Sequence, residues 1–350
     1  MMMRYVRGVS MVEFLVAITL SIVVSTGLVT LLSANKTTYT IQDNLARIQE
    51  SGRYLRYMLG LDIRMAGFMG CDDMVSHAPI NLINNPSQAQ EFSLDTAVHG
   101  YEATDDANPV WSPALPAWIT DNIAGGTALV NGSDILVIRQ IAPNLTPVTV
   151  NMATNSDNVS VANRFAIAPG DILIVTDCED TDIIKASTGT SNTVINHTTA
   201  DNTTSQLSKA FQIDARVGHL RTYIYYVKDT GRTNMNGQTI RALYRQDING
   251  NEAELIPGVE RLQVRYGLDT TGNGSADTFA TAETINNNNQ WGLVISIRVS
   301  ALIATVEEVN PKIQSYTYQG QNVTPTDRRL YREWDNYFTL RNRTIGLRVR

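Results

Sequence analysis

Glu13 is the one carboxylate in RGVSMVEFLVAITLSIVVSTGLVTLL, the run from Arg7 to Leu32. A charge inside a membrane-length segment costs about 3 kcal/mol on insertion scales, so a carboxylate here implies a partner. A second acidic pattern, DTTGNGSAD, has the skeleton of a calcium loop. Asp269, Asn273 and Asp277 fall at positions one, five and nine, and Gly274 supplies the sharp turn at six. Thr271 at position three and Ala280 at position twelve depart from the pattern. With so few charged ligands, a calcium ion as cofactor would be held only in roughly the millimolar range. A simple Gly/Asn turn between strands explains the same letters.

Cys71 and Cys178, in FMGCDD and VTDCED, are the only cysteines and lack the C-x2-C spacing of a zinc site. In an oxidising compartment they are expected to pair, closing a loop of about 108 residues and adding roughly 4 to 5 kcal/mol in the chain-entropy account. Two separate thiols are the alternative. Seven arginines lie between Arg328 and Arg350, against Glu333 and Asp335. Alternation on the solvated face of a strand accounts for them. With a net charge of -6 and a pI near 5.3, DNA is not an expected partner. The chain has no H-E-x-x-H, G-x-S-x-G or P-loop, and His77, His99, His197 and His219 are scattered, mostly in polar, loop-like sequence. These motifs give an enzyme no support.

The elements that must carry these groups are legible in outline. Residues 9–32 are long enough to cross about 30 Å of hydrocarbon as a helix. Arg4 and Arg7 before the span place the N-terminus in the cytoplasm and the residues after Leu32 outside the inner membrane. A cleaved secretory signal and a plain signal anchor compete as readings, but neither accounts for Glu13. Beyond Ser33 the apolar positions Ile41, Leu45, Ile48, Leu55 and Leu59, with Gly52 as a small member, form one helical stripe. Asp43, Arg47, Glu50, Arg53 and Arg56 form the opposite face. The spacing predicts a helix over 9–59, about 75 Å long, that packs its outer half on a globular head and ends at Gly60, Gly67 and Gly70.

From residue 60 to 350 a β-rich head is expected. SDILVIRQI and GDILIVTD read as buried strands, and RTYIYYVKD and TIRALYRQD as a hairpin around a polar loop. VERLQVRYGLD and GLVISIRVSALIATV add two strands, and DRRLYREWDNYFTLRNRTIGLRVR a last pair. Residues 76–126, with Trp111 and Trp118, read as a loop-rich insertion. The Thr/Asn/Ser-rich tract 179–208 reads as a mobile surface loop.

RG followed by VSMVEF resembles the processing site of type IV prepilins. In that family a glycine ends a short basic leader and a glutamate is the fifth residue of the mature chain. The resemblance implies a leader of residues 1–8, cleavage after Gly8 by a prepilin peptidase, Val9 as the first mature residue and methylation of its amine. It also implies that Glu13 acts in assembly, meeting the terminal amine of a neighbouring subunit. Val9 departs from the phenylalanine usual in major pilins. LIPGVERLQVRYGLDTTGNGSADTF, VISIRVSALIAT and FTLRNR resemble the PilW-type minor pilins, and the first of these also resembles J-type minor pseudopilins of type II secretion. The implied fold is α+β, a pilin-like lollipop with a long N-terminal helix packed on a large β-rich head. The implied partners are other minor pilins and the major pilin through their helices, and a tip adhesin. The implied course runs from a single-pass inner-membrane protein with a periplasmic head to the pilus at the cell surface. A ligand-binding adhesin head is the alternative of a different class.

Overall fold

The computed structural model describes residues 10–70, 79–84, 96–123, 129–248 and 250–344. A single helix, α1 (Met11–Met65), opens the chain and is followed by a strand-rich head. At 1.5 Å per residue its 55 residues span about 82 Å. The first half carries an 18-residue window of mean hydropathy 2.4 and is wholly uncovered. The second half buries the lower part of the expected stripe: Ile48, Gly52, Leu55 and Leu59 are buried, Ile63 continues it, and Ile41 and Leu45 are half-buried.

The helix runs past Gly60, which is buried inside it. A Cβ at that position would lie 3.0 Å from the Phe338 ring, so Gly60 is a contact glycine and not a stop. The turn comes at Gly67 and Gly70, both at positive φ. Gly67 N then donates to Arg139 O, which leads the chain into the head.

The main strands are β1 (Val98–Ala103), β2 (Ile135–Ile141), β3 (Ile172–Thr176), β4 (Thr181–Lys185) and β5 (Arg216–Thr233). They continue as β6 (Thr239–Asp247), β7 (Glu252–Pro257), β8 (Val259–Leu268), β9 (Val294–Ala304) and β10 (Tyr331–Thr339). In the larger sheet β5 is the spine. Its first residues pair with β3, its middle with β2 and its far half with β6, all antiparallel. The expected hairpin is therefore β5–β6, with β7 added outside it. The second sheet runs Thr278–Ala280, β8, β9, β10. One apolar core joins α1 to both sheets, through Leu136, Tyr225 and Leu243 on one side and Leu262, Val299 and Phe338 on the other.

Two expectations are corrected, on the tract 179–208 and on the described part of 76–126. The tract 179–208 is not a loose loop: it contains β4, and its buried Ile195 joins Leu207 and Phe211 in a second core. Asn202, fully buried, accepts from Lys185 N (2.8 Å) and donates to Lys185 O (2.9 Å), and so bonds a strand residue as a neighbouring strand would. Among the described residues of the last segment there is β10 and then the short helix Arg341–Thr344, and the rest of the expected pair lies outside the described residues. The described part of 76–126 supplies β1 to the large sheet, and Tyr101, Trp118, Ile119 and Ile123 pack against it as a third core.

Candidate functional site

The candidate site is α1 itself: its N-terminal end, its uncovered half and its seat on the head. Ser10 caps the helix. Its hydroxyl accepts from Glu13 N (3.2 Å), and its own N–H donates to Glu13 Oε2 (2.9 Å). This capping box satisfies N–H groups at a helix start that lipid cannot serve. Glu13 is thus exposed but not idle. Gly8 and Val9 lie outside the described residues. Farther along, Thr19, Ser21, Thr26 and Thr30 each turn a hydroxyl back to a carbonyl three or four residues earlier, at 2.7 to 2.9 Å. Ala17, Ser21 and Ser25 line one face with Phe14, Ile18 and Val29.

The seat is built from shape and one buried charge. At Gly52 a Cβ would lie 2.1 Å from the Trp334 ring, so the indole of β10 occupies the space a side chain would need. One turn before the helix ends, Asp62 is buried. The Tyr225 hydroxyl of β5 donates to its carboxylate, and Arg245 Nη1 of β6 donates to the same oxygen at 3.2 Å. Burial, and then the Asp62 charge, hold the Tyr225 hydroxyl well above its ordinary pKa, so it stays a donor. Arg245 is also stacked over Tyr223. Asn342 donates to Arg64 O (3.3 Å) and Ala66 O (3.1 Å), closing the free carbonyls of the helix end.

The other candidates are not brought together with α1. In the 269–277 loop, Asp269 accepts from the N–H groups of Gly272, Asn273 and Gly274 at 2.6 to 3.1 Å. Asp277 accepts from the N–H and hydroxyl groups of Thr270 and Thr271, which hold its carboxyl below the usual range, the Thr270 hydroxyl first. Asn273 Oδ1 accepts from Ser275 N. The oxygens are turned to N–H and O–H donors of the loop itself. Among the described residues no group of three or more His, Cys, Asp or Glu side chains is arranged to hold a metal. Asp269→Ala is expected to lower stability by about 2 kcal/mol in urea denaturation, equally with and without calcium. A larger loss in calcium than in its absence would show that the loop also binds the ion.

Cys178 sits at φ 77 in the turn from β3 to β4, where Lys209 gathers Asp177 (2.6 Å), Asp180 (3.0 Å) and Glu179 (3.2 Å). Cys71 lies outside the described residues. Two of the histidines lie on strands and not in loops: His99 is on β1, stacked on Trp291 at 4.3 Å, and burial, with Arg139 second, drives its pKa down to about 3. His219 is on β5 and His197 is buried against Asp157 O, while His77 is outside the described residues. Of the C-terminal arginines, Arg328 pairs with Glu308 and Arg329 with Asp327 and Glu260.

Sequence reasoning missed Asp62, Trp334 and Phe338. Asp62 had a signal, since it falls three residues after Leu59 and seven after Leu55, on the apolar face. The aromatic partners had none.

The family model described as type IV pilus-assembly protein W matches residues 224–342, about a third of the chain. The match runs from the middle of β5 to just past β10, and so covers the part of the head that holds Trp334, Phe338 and Arg245. It relates the chain to type IV pilus assembly. No curated protein and no solved structure matches.

Proposed function

We propose that this chain is a minor pilin that primes type IV pilus assembly and takes its place in a tip complex with other minor pilins. The reading is carried by one observation: a single helix, apolar and uncovered over its first half, is seated on a strand-rich head over its second. The match to type IV pilus-assembly protein W supports it from the side of the head. In this reading a prepilin peptidase cleaves after Gly8, and the new Val9 amine is methylated. The helix waits in the inner membrane with the head in the periplasm, where Cys71 and Cys178 pair. On assembly Glu13 meets the amine of a neighbouring subunit. An ion pair that needs both partners fixes the axial stagger of the helices even where it adds little net stability. The head contacts the tip partners, a tip adhesin among them. A head of this size would crowd a shaft packed from small subunits, which favours the tip.

Deletion of the gene is expected to remove sheared surface pili while exoprotein secretion continues, with partial recovery of pili when the retraction ATPase is also absent. Normal pili with failed secretion would assign the chain to a type II secretion pseudopilus instead. Glu13→Ala is expected to be processed after Gly8, as read from the N-terminal mass, yet to fail to rescue the deletion. Full rescue would remove the role given to Glu13.

A further inference from the structure

Among the described residues the two sheets of the head share no strand pairing. Beside the apolar core and the β7–β8 turn, where Gly258 N donates to Arg241 O, they are also joined by the segment 132–134 at the entry to β2. Asp134 N donates to Leu262 O (2.8 Å), Leu262 N donates to Ser133 Oγ (3.0 Å), and Gln263 Nε2 donates to Gly132 O (2.9 Å). The Asp134 carboxyl group completes the seam. Its Oδ1 accepts from Ala103 N of β1 and its Oδ2 from Val264 N of β8, both at 2.8 Å. One side chain, 2% exposed, thus ties a strand of the first sheet to a strand of the second.

A second carboxyl group adjoins it. Glu102 directly precedes Ala103. Its Oε2 is buried with no hydrogen-bond partner among the described residues, and Ala282 N at the start of the helix Ala282–Asn287 donates to its carboxyl group. The charged and titratable groups that face the pair come from every element around it. These are Arg265 and Tyr266 of β8, Tyr101 of β1, Glu283 of the 282–287 helix, and Tyr318 from the strand Tyr316–Tyr318. The Tyr266 hydroxyl is buried without a partner and sits so close to Gly100 that a Cβ there would lie 1.8 Å from it. Arg265 acts on both carboxyl groups as a cation, against Glu283 beside Glu102.

We propose that Asp134 and Glu102 form a proton-held latch between the two sheets, closed while the pair keeps a proton and loosened as the proton leaves. Two neighbouring carboxyl groups in a buried seam cannot both ionise cheaply. Burial first, then the Glu102 charge, pushes the Asp134 carboxyl well above the usual range, and outweighs the Ala103 and Val264 N–H bonds and Arg265, which favour its ionised form. Burial also raises Glu102, with Arg265 opposing it. The folded seam therefore holds its proton more tightly than the unfolded chain does. The stability it contributes is full below the ordinary carboxylate range, near pH 4, and is lost as pH rises through the raised values.

The test is amide exchange on the full-length protein in detergent from pH 5 to 8, expressed as protection factors. The Ala103 and Val264 amides are expected to lose at least tenfold more protection over this range than the amides of Leu55 to Ile63 in α1. Glu102→Gln, which cannot ionise, is expected to keep both seam amides near their acid values. Equal pH slopes for seam and helix in the unaltered protein, or a Glu102→Gln variant that loosens as the unaltered protein does, would overturn the latch. If Glu102→Gln does not fold, the exposed Glu283→Gln serves instead. Removing its charge from beside Glu102 must move the loosening to lower pH, and an unmoved midpoint would overturn the proposal as well.

Discussion

A valine at position 52 is expected to unseat α1 from the head and to lower stability by about 3 kcal/mol or more. In an exposed helix, replacing glycine gains up to about 1 kcal/mol from propensity. At Gly52 the sign reverses. The first added carbon would lie 2.1 Å from the six-membered part of the Trp334 indole, and the next two atoms of the ring are at 2.2 and 2.5 Å. Trp334 is fixed on β10, whose residues pair with β9 from Tyr331 to Thr339, so the ring cannot withdraw without moving the strand. Forcing atoms into a packed contact costs typically 1 to 3 kcal/mol, and the Trp334 burial lost with it adds to that. Gly52→Ala and Gly52→Val, measured by urea denaturation in detergent with tryptophan emission as the probe, should fall in that order below the unaltered protein. A gain in stability for either would mean that Trp334 does not sit against the helix.

The second large effect is expected at Asp62. Asp62→Ala removes the acceptor shared by Tyr225 and Arg245 and leaves a guanidinium partly buried without its carboxylate. Breaking a buried pair in this way costs about 3 to 5 kcal/mol, and the partial exposure of Arg245 puts the expectation near the lower end. Asp62→Asn keeps an acceptor for the hydroxyl and should cost about half as much. A double-mutant cycle with Tyr225→Phe should show coupling of about 1 to 3 kcal/mol, because the Tyr225 hydroxyl donates to the Asp62 carboxylate. Additive losses would place the two groups apart.

The membrane-length run and the stripe Ile48, Gly52, Leu55, Leu59 were legible in the sequence because both are local. Each is a matter of spacing along one helix, and the structure buries or exposes them as that spacing requires. The end of the helix was not legible at Gly60, because its reason is Phe338, far along the chain. A glycine that makes room and a glycine that breaks a helix are the same letter. The tract 179–208 misled for a related reason: its composition is that of a solvated loop, but Asn202 buries its amide by bonding backbone, and His197 sets Nε2 against Asp157 O. Short polar side chains in a row say nothing of whether water or a strand will satisfy them. Asp62 is the most informative miss. An acid on an apolar face was visible, while the tyrosine and arginine that justify it come from β5 and β6.

The back-bonded hydroxyls of α1 carry a consequence for how such a helix travels. Thr19, Ser21, Thr26 and Thr30 spend their protons on the carbonyls of the preceding turn, and Ser10 and Glu13 close the exposed start. These groups ask nothing of their surroundings. Moved from acyl chains to a bed of other helices, they break no hydrogen bond, so the passage involves little more than exchanging one set of dispersion contacts for another. On the function proposed above, the carboxylate of Glu13 would be the group that tells the two media apart, since the capping bonds leave its charge unpaired.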